Sequence, residues 1–119
     1  MFSQRALQKV QTIIKKIDFI EKIVQKKGSI ITALEDEMES RAAILMHLTA
    51  MAEQFDKLLH DGELELLSYF EKQDIKGSYD LRNFIAHNYE GVDLYIVEDI
   101  IKERLPIIKQ SALKILELS

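Results

Sequence analysis

The sequence has no cysteine, no tryptophan, one proline and four glycines in 119 residues. Without cysteine there is no disulfide framework and no thiolate zinc site. That fits a reducing compartment, and we expect a cytoplasmic protein. Residues 1–20 lack the basic-then-apolar layout of a secretory signal, because lysines interrupt the apolar positions. There is no run of eighteen apolar residues, so no membrane span is expected. The scarcity of breakers, with no strand-like alternation, leaves long stretches free to be helical.

What is present is apolar periodicity and uneven charge. At 47% hydrophobic residues the chain can bury a core as a single domain spanning residues 1–119. Net charge is −4, yet residues 1–28 carry seven Lys or Arg against Asp18 and Glu21. Residues 29–65 reverse this, with two basic and nine acidic side chains. An acidic protein is a poor generic binder of nucleic acid. Any RNA contact must be local, with the first helix as its candidate basic surface, although those lysines taken alone read more readily as a solvated helix face.

Leu7, Val10, Ile13, Ile14, Ile17, Ile20 and Val24 recur at three- and four-residue steps, which predicts a helix from Ser3 to Lys27. Ser3 serves as its N-cap and Gly28 as its stop. A second helix is expected over Thr32–His60, capped by Thr32, with Glu35, Asp36 and Glu37 at its positive end. Its stripe would include Leu34, Met38, Ile44, Leu45, Leu48, Met51, Phe55, Leu58 and Leu59. Asp61-Gly62 marks a turn, and Leu64–Phe70 a short apolar piece. Gly77-Ser78 opens a third helix over Tyr79–Tyr89, with Ser78 as cap and Gly91 as stop. Asp93 caps a fourth with Val97, Ile100, Ile101 and Leu105 inward, and Pro106 either kinks it or starts a fifth. Ile107, Ile108, Leu113, Ile115 and Leu116 continue the apolar surface. The fold class is all-α, an up-and-down bundle of four to five helices.

The segment Asp80–Asp93 concentrates the chemistry. On a helix turning about 100° per residue, Asn83 and His87 share a face, so Asn83 is able to orient the imidazole. Arg82 and His87 stand roughly 140° apart and cannot converge on one atom within one chain. Tyr89 returns to the arginine's face if the helix persists. Leu81, Phe84, Ile85 and Ala86 form the buried side. An imidazole exchanges protons near neutrality and serves as general base or acid. A guanidinium stays charged and grips phosphate oxygens. Together they suit phosphodiester cleavage, with two chains pooling their helices so that one chain's Arg82 meets the other's His87. No cluster of Asp, Glu and His has metal-ligand spacing, and no cofactor is implied. Taken alone, the pair has a structural reading too: Arg82 pairing with Asp80 or Glu90, and His87 capping a carboxylate.

The run from Arg82 to Asp93, Arg-Asn-Phe-Ile-Ala-His-Asn-Tyr-Glu-Gly-Val-Asp, resembles the signature of HepT-like HEPN proteins: Arg, Asn, three residues, His, one residue, Tyr, then Gly-Val-Asp. Ile96–Pro106 is similar to that family's last helix, and Met51-Ala52-Glu53 to a looser pattern in its second. The resemblance implies an all-helical homodimeric domain and a metal-independent endoribonuclease, commonly the toxin of a bacterial toxin–antitoxin pair. It implies an MntA-like minimal nucleotidyltransferase as antitoxin, silencing the toxin by adding AMP to the motif tyrosine. Carried over, Arg82 and His87 are catalytic, Asn83 supports them and Tyr89 is modified. His47 and His60 receive no role and read as ordinary helix residues.

Three functions compete: the ribonuclease toxin, a non-catalytic helical subunit that docks a nucleotidyltransferase or presents its substrate, and a structural dimer whose polar motif only specifies pairing. The intact Arg82–His87 pair favours the enzyme.

Overall fold

In the computed structural model, which describes every residue from Met1 to Ser119, Ser3 accepts the amide of Ala6 and starts α1, Gln4–Lys27. Gly28, at φ 95°, closes α1 in the left-handed conformation that glycine adopts without strain. Ser29, not Thr32, then caps α2, Ile30–Glu35: its hydroxyl accepts the Thr32 amide at 3.1 Å.

The long second helix expected from Thr32 is broken at Asp36–Glu39, and α3 runs from Ser40 to His60. Like charges at Glu35 and Glu39, one turn apart, disfavour helix there. The Asp36 carboxylate turns back to accept the Ser40 amide at 3.2 Å and pairs with Lys27 at 3.1 Å. Those contacts, Lys27 foremost, hold its pKa down at about 2. Arg41 bridges the break by donating to the Leu34 carbonyl at 2.6 Å. Met38, expected inside, sits in the break at 90% exposure, and Leu59 is also exposed.

After a turn at Gly62 comes α4, Leu64–Leu67, then α5, Lys72–His87. The motif helix thus starts six residues before Ser78, which is buried mid-helix rather than capping. It also ends two residues before Tyr89. Tyr89–Gly91 forms a 3-10 turn, and α6 spans Leu94–Asp99. A π-helical turn over Ile100–Arg104 leads into α7, Leu105–Glu117. Pro106 accounts for that turn: its ring crowds the preceding carbonyls, and widening the helix relieves the clash. Pro106 thus stands in the first turn of α7, the second of the two outcomes expected of it.

α1 and α3 form the central pair, running antiparallel. Lys9 near the start of α1 reaches Asp61 beyond the end of α3, while Lys27 at the end of α1 meets Asp36. Val10, Ile13, Ile17 and Ile20 of α1 are fully buried against Ile44, Leu45, Leu48, Met51 and Leu58 of α3. Leu105, Ile108, Ala112 and Ile115 of α7 close the same core, though Leu113 faces outward. Lys109 of α7 anchors to Asp18 and Glu21 of α1. One polar flaw lies in this layer: His47 Nδ1 is buried without a partner, its ring 5.1 Å from that of Phe19. Burial, then the nearby Lys16, holds that imidazole's pKa below the usual histidine value. The result is an all-α bundle, and no helix is long and apolar enough to cross a membrane.

Candidate active site

α5 carries the motif but buries no large apolar side chain completely. Its buried residues are Asp74 and Ser78, with Ile75, Leu81 and Ile85 packed at the edge of the core. Charge fixes it in place. Arg104, in the π-helical turn, grips both oxygens of Asp74 at 2.7 and 2.8 Å and reaches Glu71 at 3.2 Å. The Asp74 carboxylate, only 5% exposed as a residue, pushes the Arg104 pKa up. Glu71 is held below the usual carboxylate value, first by Gln73 and then by Arg104.

Arg82 projects from α5 toward α3. Its guanidinium donates to Asp56 at 2.8 Å, lies 5.3 Å from the Tyr79 ring centre and reaches Oδ1 of the Asn83 side chain at 3.5 Å. The partner is therefore Asp56, neither Asp80 nor Glu90; Asp80 pairs with Lys76 instead. Asn83 leans toward Arg82 and makes no hydrogen bond to His87. Of the expected buried side, Leu81 and Ile85 face the core, whereas Phe84 is 47% exposed and Ala86 is exposed.

His87 is the last residue of α5, exposed and without a hydrogen bond or ion pair. Five residues of α-helix put it about 7.5 Å further along the axis than Arg82 and on another face. The cleft that Arg82 borders does not include His87. One chain therefore keeps the two groups apart, as the angular argument required.

The tail of the motif has local reasons. Asn88 caps α5 with its amide on Phe84. A Cβ at Gly91 would come within 2.4 Å of the Asn88 side chain. A side chain at that position would have to displace the exposed Asn88 amide, and Gly91 does not take the left-handed conformation expected of a helix stop. Val92 packs against the core, and Asp93 accepts the Tyr95 amide at 2.9 Å to start α6. Tyr89, in the 3-10 turn, is 38% exposed with its hydroxyl unpaired.

Arg82 opens onto a cleft of about 690 Å³ between the start of α1 and the end of α3. Arg5, Lys9 and Lys57 line it with Arg82, and so does His60, which sequence reasoning left without a role. Glu53, Asp56 and Asp61 are its acidic wall, and Leu59 is its one apolar residue. Glu53, Asp56 and His60 recur at helical spacing opposite the apolar stripe of α3, and that polar stripe was the available signal. Nowhere do three His, Asp or Glu side chains gather closely enough to share a metal ion.

No curated protein and no solved structure matches the chain. A family model described as Ribonuclease HepT-like matches residues 7–115, from the first turns of α1 to the last turns of α7. The all-α bundle, the helix bearing Arg82 and His87, and a match over nearly the whole length agree: the chain belongs to the HepT-like ribonuclease family.

Proposed function

We propose that this protein is a metal-independent endoribonuclease whose site is composed across a homodimer, with Arg82 of one protomer beside His87 of the other. The observation that carries the reading is the state of these two side chains. Asp56 holds Arg82 oriented at the mouth of a cation-lined cleft, and His87 stands free at the exposed end of the same helix. In the reaction, His87 removes the proton of a ribose 2′-hydroxyl, whose oxygen attacks the adjacent phosphorus. The 5′-oxygen of the next nucleotide leaves with a proton from the His87 imidazolium or from water, and a 2′,3′-cyclic phosphate remains. Arg82 neutralises the charge that builds on the phosphorane oxygens. Asn83 supports Arg82.

Support for the dimer comes from the outer side of α5. Phe84 and Ile96, 47% and 55% exposed, border an apolar groove of about 320 Å³ between α5 and α6. Two-fold pairing there would bring two α5 helices together. The motif's resemblance to that of HepT-like HEPN proteins supports toxin action, with an MntA-like nucleotidyltransferase as antitoxin. Tyr89 fits the modification: its exposed phenolic oxygen is able to attack the α-phosphorus of ATP, releasing pyrophosphate and leaving AMP two residues from His87. A second reading, a docking subunit without cleavage, is favoured by the engagement of Arg82 with Asp56.

The test is cleavage of RNA in the presence of a chelator by protein that mass spectrometry shows to be free of AMP. Arg82→Ala and His87→Ala should each be inert. Mixing the two inert chains and allowing subunit exchange should restore about a quarter of wild-type activity, because half the dimers are mixed and each of those has one intact site. Inert wild type supports the docking reading; inert mixtures from active wild type would place both groups' work within one chain.

A further inference from the structure

We propose that the cleft between α1 and α3 is a phosphate-binding subsite that holds a single RNA strand next to the phosphate gripped by Arg82, with Arg5 and Lys57 as its contacts. The inference rests on the ribonuclease reading and assigns residues outside the motif to substrate binding.

The cations of the cleft fall into two groups. Arg82 and Lys9 have carboxylate partners, Asp56 at 2.8 Å and Asp61 at 3.5 Å. Arg5 and Lys57 have neither an ion pair nor a hydrogen bond, and both are exposed. Lys57 has a local explanation, since a cation in the last turn of α3 suits the helix dipole. Arg5 has none. It stands in the first turn of α1, where the dipole disfavours a positive charge and where no acidic residue offsets it. A residue that breaks a local rule without a compensating partner points to function.

The chemistry of the lining selects the ligand. A pocket for an apolar small molecule or a hydrophobic peptide is walled mainly by apolar side chains, whereas this one has only Leu59. Four cations against three carboxylates, in a chain of net charge −4, make the cleft a local reversal of the protein's charge. Such a concavity concentrates field lines and draws in polyanions. Its volume of about 690 Å³ lies within the range of roughly 300–1,000 Å³ that holds nucleotide-sized groups. Because Arg82 stands on the rim, a strand whose reacting phosphate lies on Arg82 continues naturally into the cleft. His60, at the end of α3, offers an imidazole N–H to the same strand. An open groove lined by cations suits a single strand, whose backbone those cations can track.

The experiment measures anisotropy of a fluorescent 2′-O-methyl oligonucleotide, which binds without being cut, over a range of salt. The chains are wild type, Arg5→Ala/Lys57→Ala, and the charge-matched control Lys22→Ala/Lys26→Ala from the exposed far end of α1. The cleft variant should bind about tenfold or more weakly. Its slope of log affinity against log salt should fall by roughly 1.4, about 0.7 for each lost contact to a single-stranded phosphate. With cleavable RNA, KM should rise and kcat should hold, because neither residue meets the reacting phosphate. The control should match wild type in both assays. If wild type binds and cleaves while the cleft variant binds with unchanged affinity and slope, the subsite is refuted and the ribonuclease reading stands. Equal losses in the control would reduce the effect to net charge and also refute it. Wild type that neither binds nor cleaves overturns both.

Discussion

α1 and α5 both pack against α3, but by different chemistry. α1 presents Val10, Ile13, Ile17 and Ile20, none with measurable exposure, to an equally closed stripe on α3. α5 presents Asp74 and Ser78 at its buried positions and is fastened by the Arg104 clamp and by Arg82 on Asp56. Dispersion and burial make the first contact strong and indifferent to the exact chemistry of each residue. Charge makes the second specific; Ile75, Leu81 and Ile85 pack at the edge of the core, while Phe84 faces outward. On the proposed function, α5 offers Arg82, Asn83 and His87 to a substrate, and a helix sealed into a core on every side would leave them no access. The bundle thus keeps the motif helix oriented without burying it.

The largest expected effect comes from damaging the apolar contact. Ile17→Ala removes a fully buried side chain from the α1–α3 seam. The lost transfer energy and the remaining cavity should cost about 2–5 kcal/mol, seen as a lower urea midpoint with unchanged slope. A loss well under that range would mean that the seam relaxes to fill the hole, and that α1 is held less by its stripe than its burial implies.

The charged contact should fail differently. Arg104→Met leaves the Asp74 carboxylate in its buried site with no cation. We expect amide exchange protection over Lys72–Leu81 to collapse while α1 and α3 remain protected, because the clamp stabilises one helix rather than the whole core. The global midpoint should move less than for Ile17→Ala. Adding Asp74→Asn should recover part of the protection, since the two residues act as one pair. Unchanged protection in α5 would show that Ile75, Leu81 and Ile85 hold it without the ions.

These differences also explain what was legible in the sequence. The stripe, cap and stop of α1 were plain because periodicity, Ser3 and Gly28 all pointed one way, and so was the stripe of α3 from Ile44 to Leu58. The break before Ser40 was hidden because Glu35, Asp36 and Glu37 look like residues favouring a helix start. The early start of α5 was hidden because Gly77-Ser78 looks like a boundary. The contact that overrides it joins Asp74 to Arg104, thirty residues away. Pro106 hinted at irregularity but not at a π-helical turn. At the site, the angular offset of Arg82 from His87 was readable from spacing, while the motif was legible only as a resemblance to the family. The Asp56 partner and the α1–α3 cleft were not, since both depend on how helices distant in sequence meet.

The smallest effect concerns Gly77, exposed in the middle of α5, where a Cβ would meet nothing within 4 Å. Glycine inside a helix loses more backbone entropy on folding than alanine does. Gly77→Ala should therefore stabilise the protein by about 0.5–1 kcal/mol in urea unfolding. That gain would strengthen α5 by propensity alone, with neither ions nor burial changed. The same glycine borders the groove of Phe84 and Ile96, which gives the substitution a second reading by sedimentation. If stability rises and self-association is unchanged, the glycine is merely a weak point in a helix held by charge. If stability rises while self-association falls, the space beside Gly77 is filled by a second copy, and the open side of α5 is open only in the single chain.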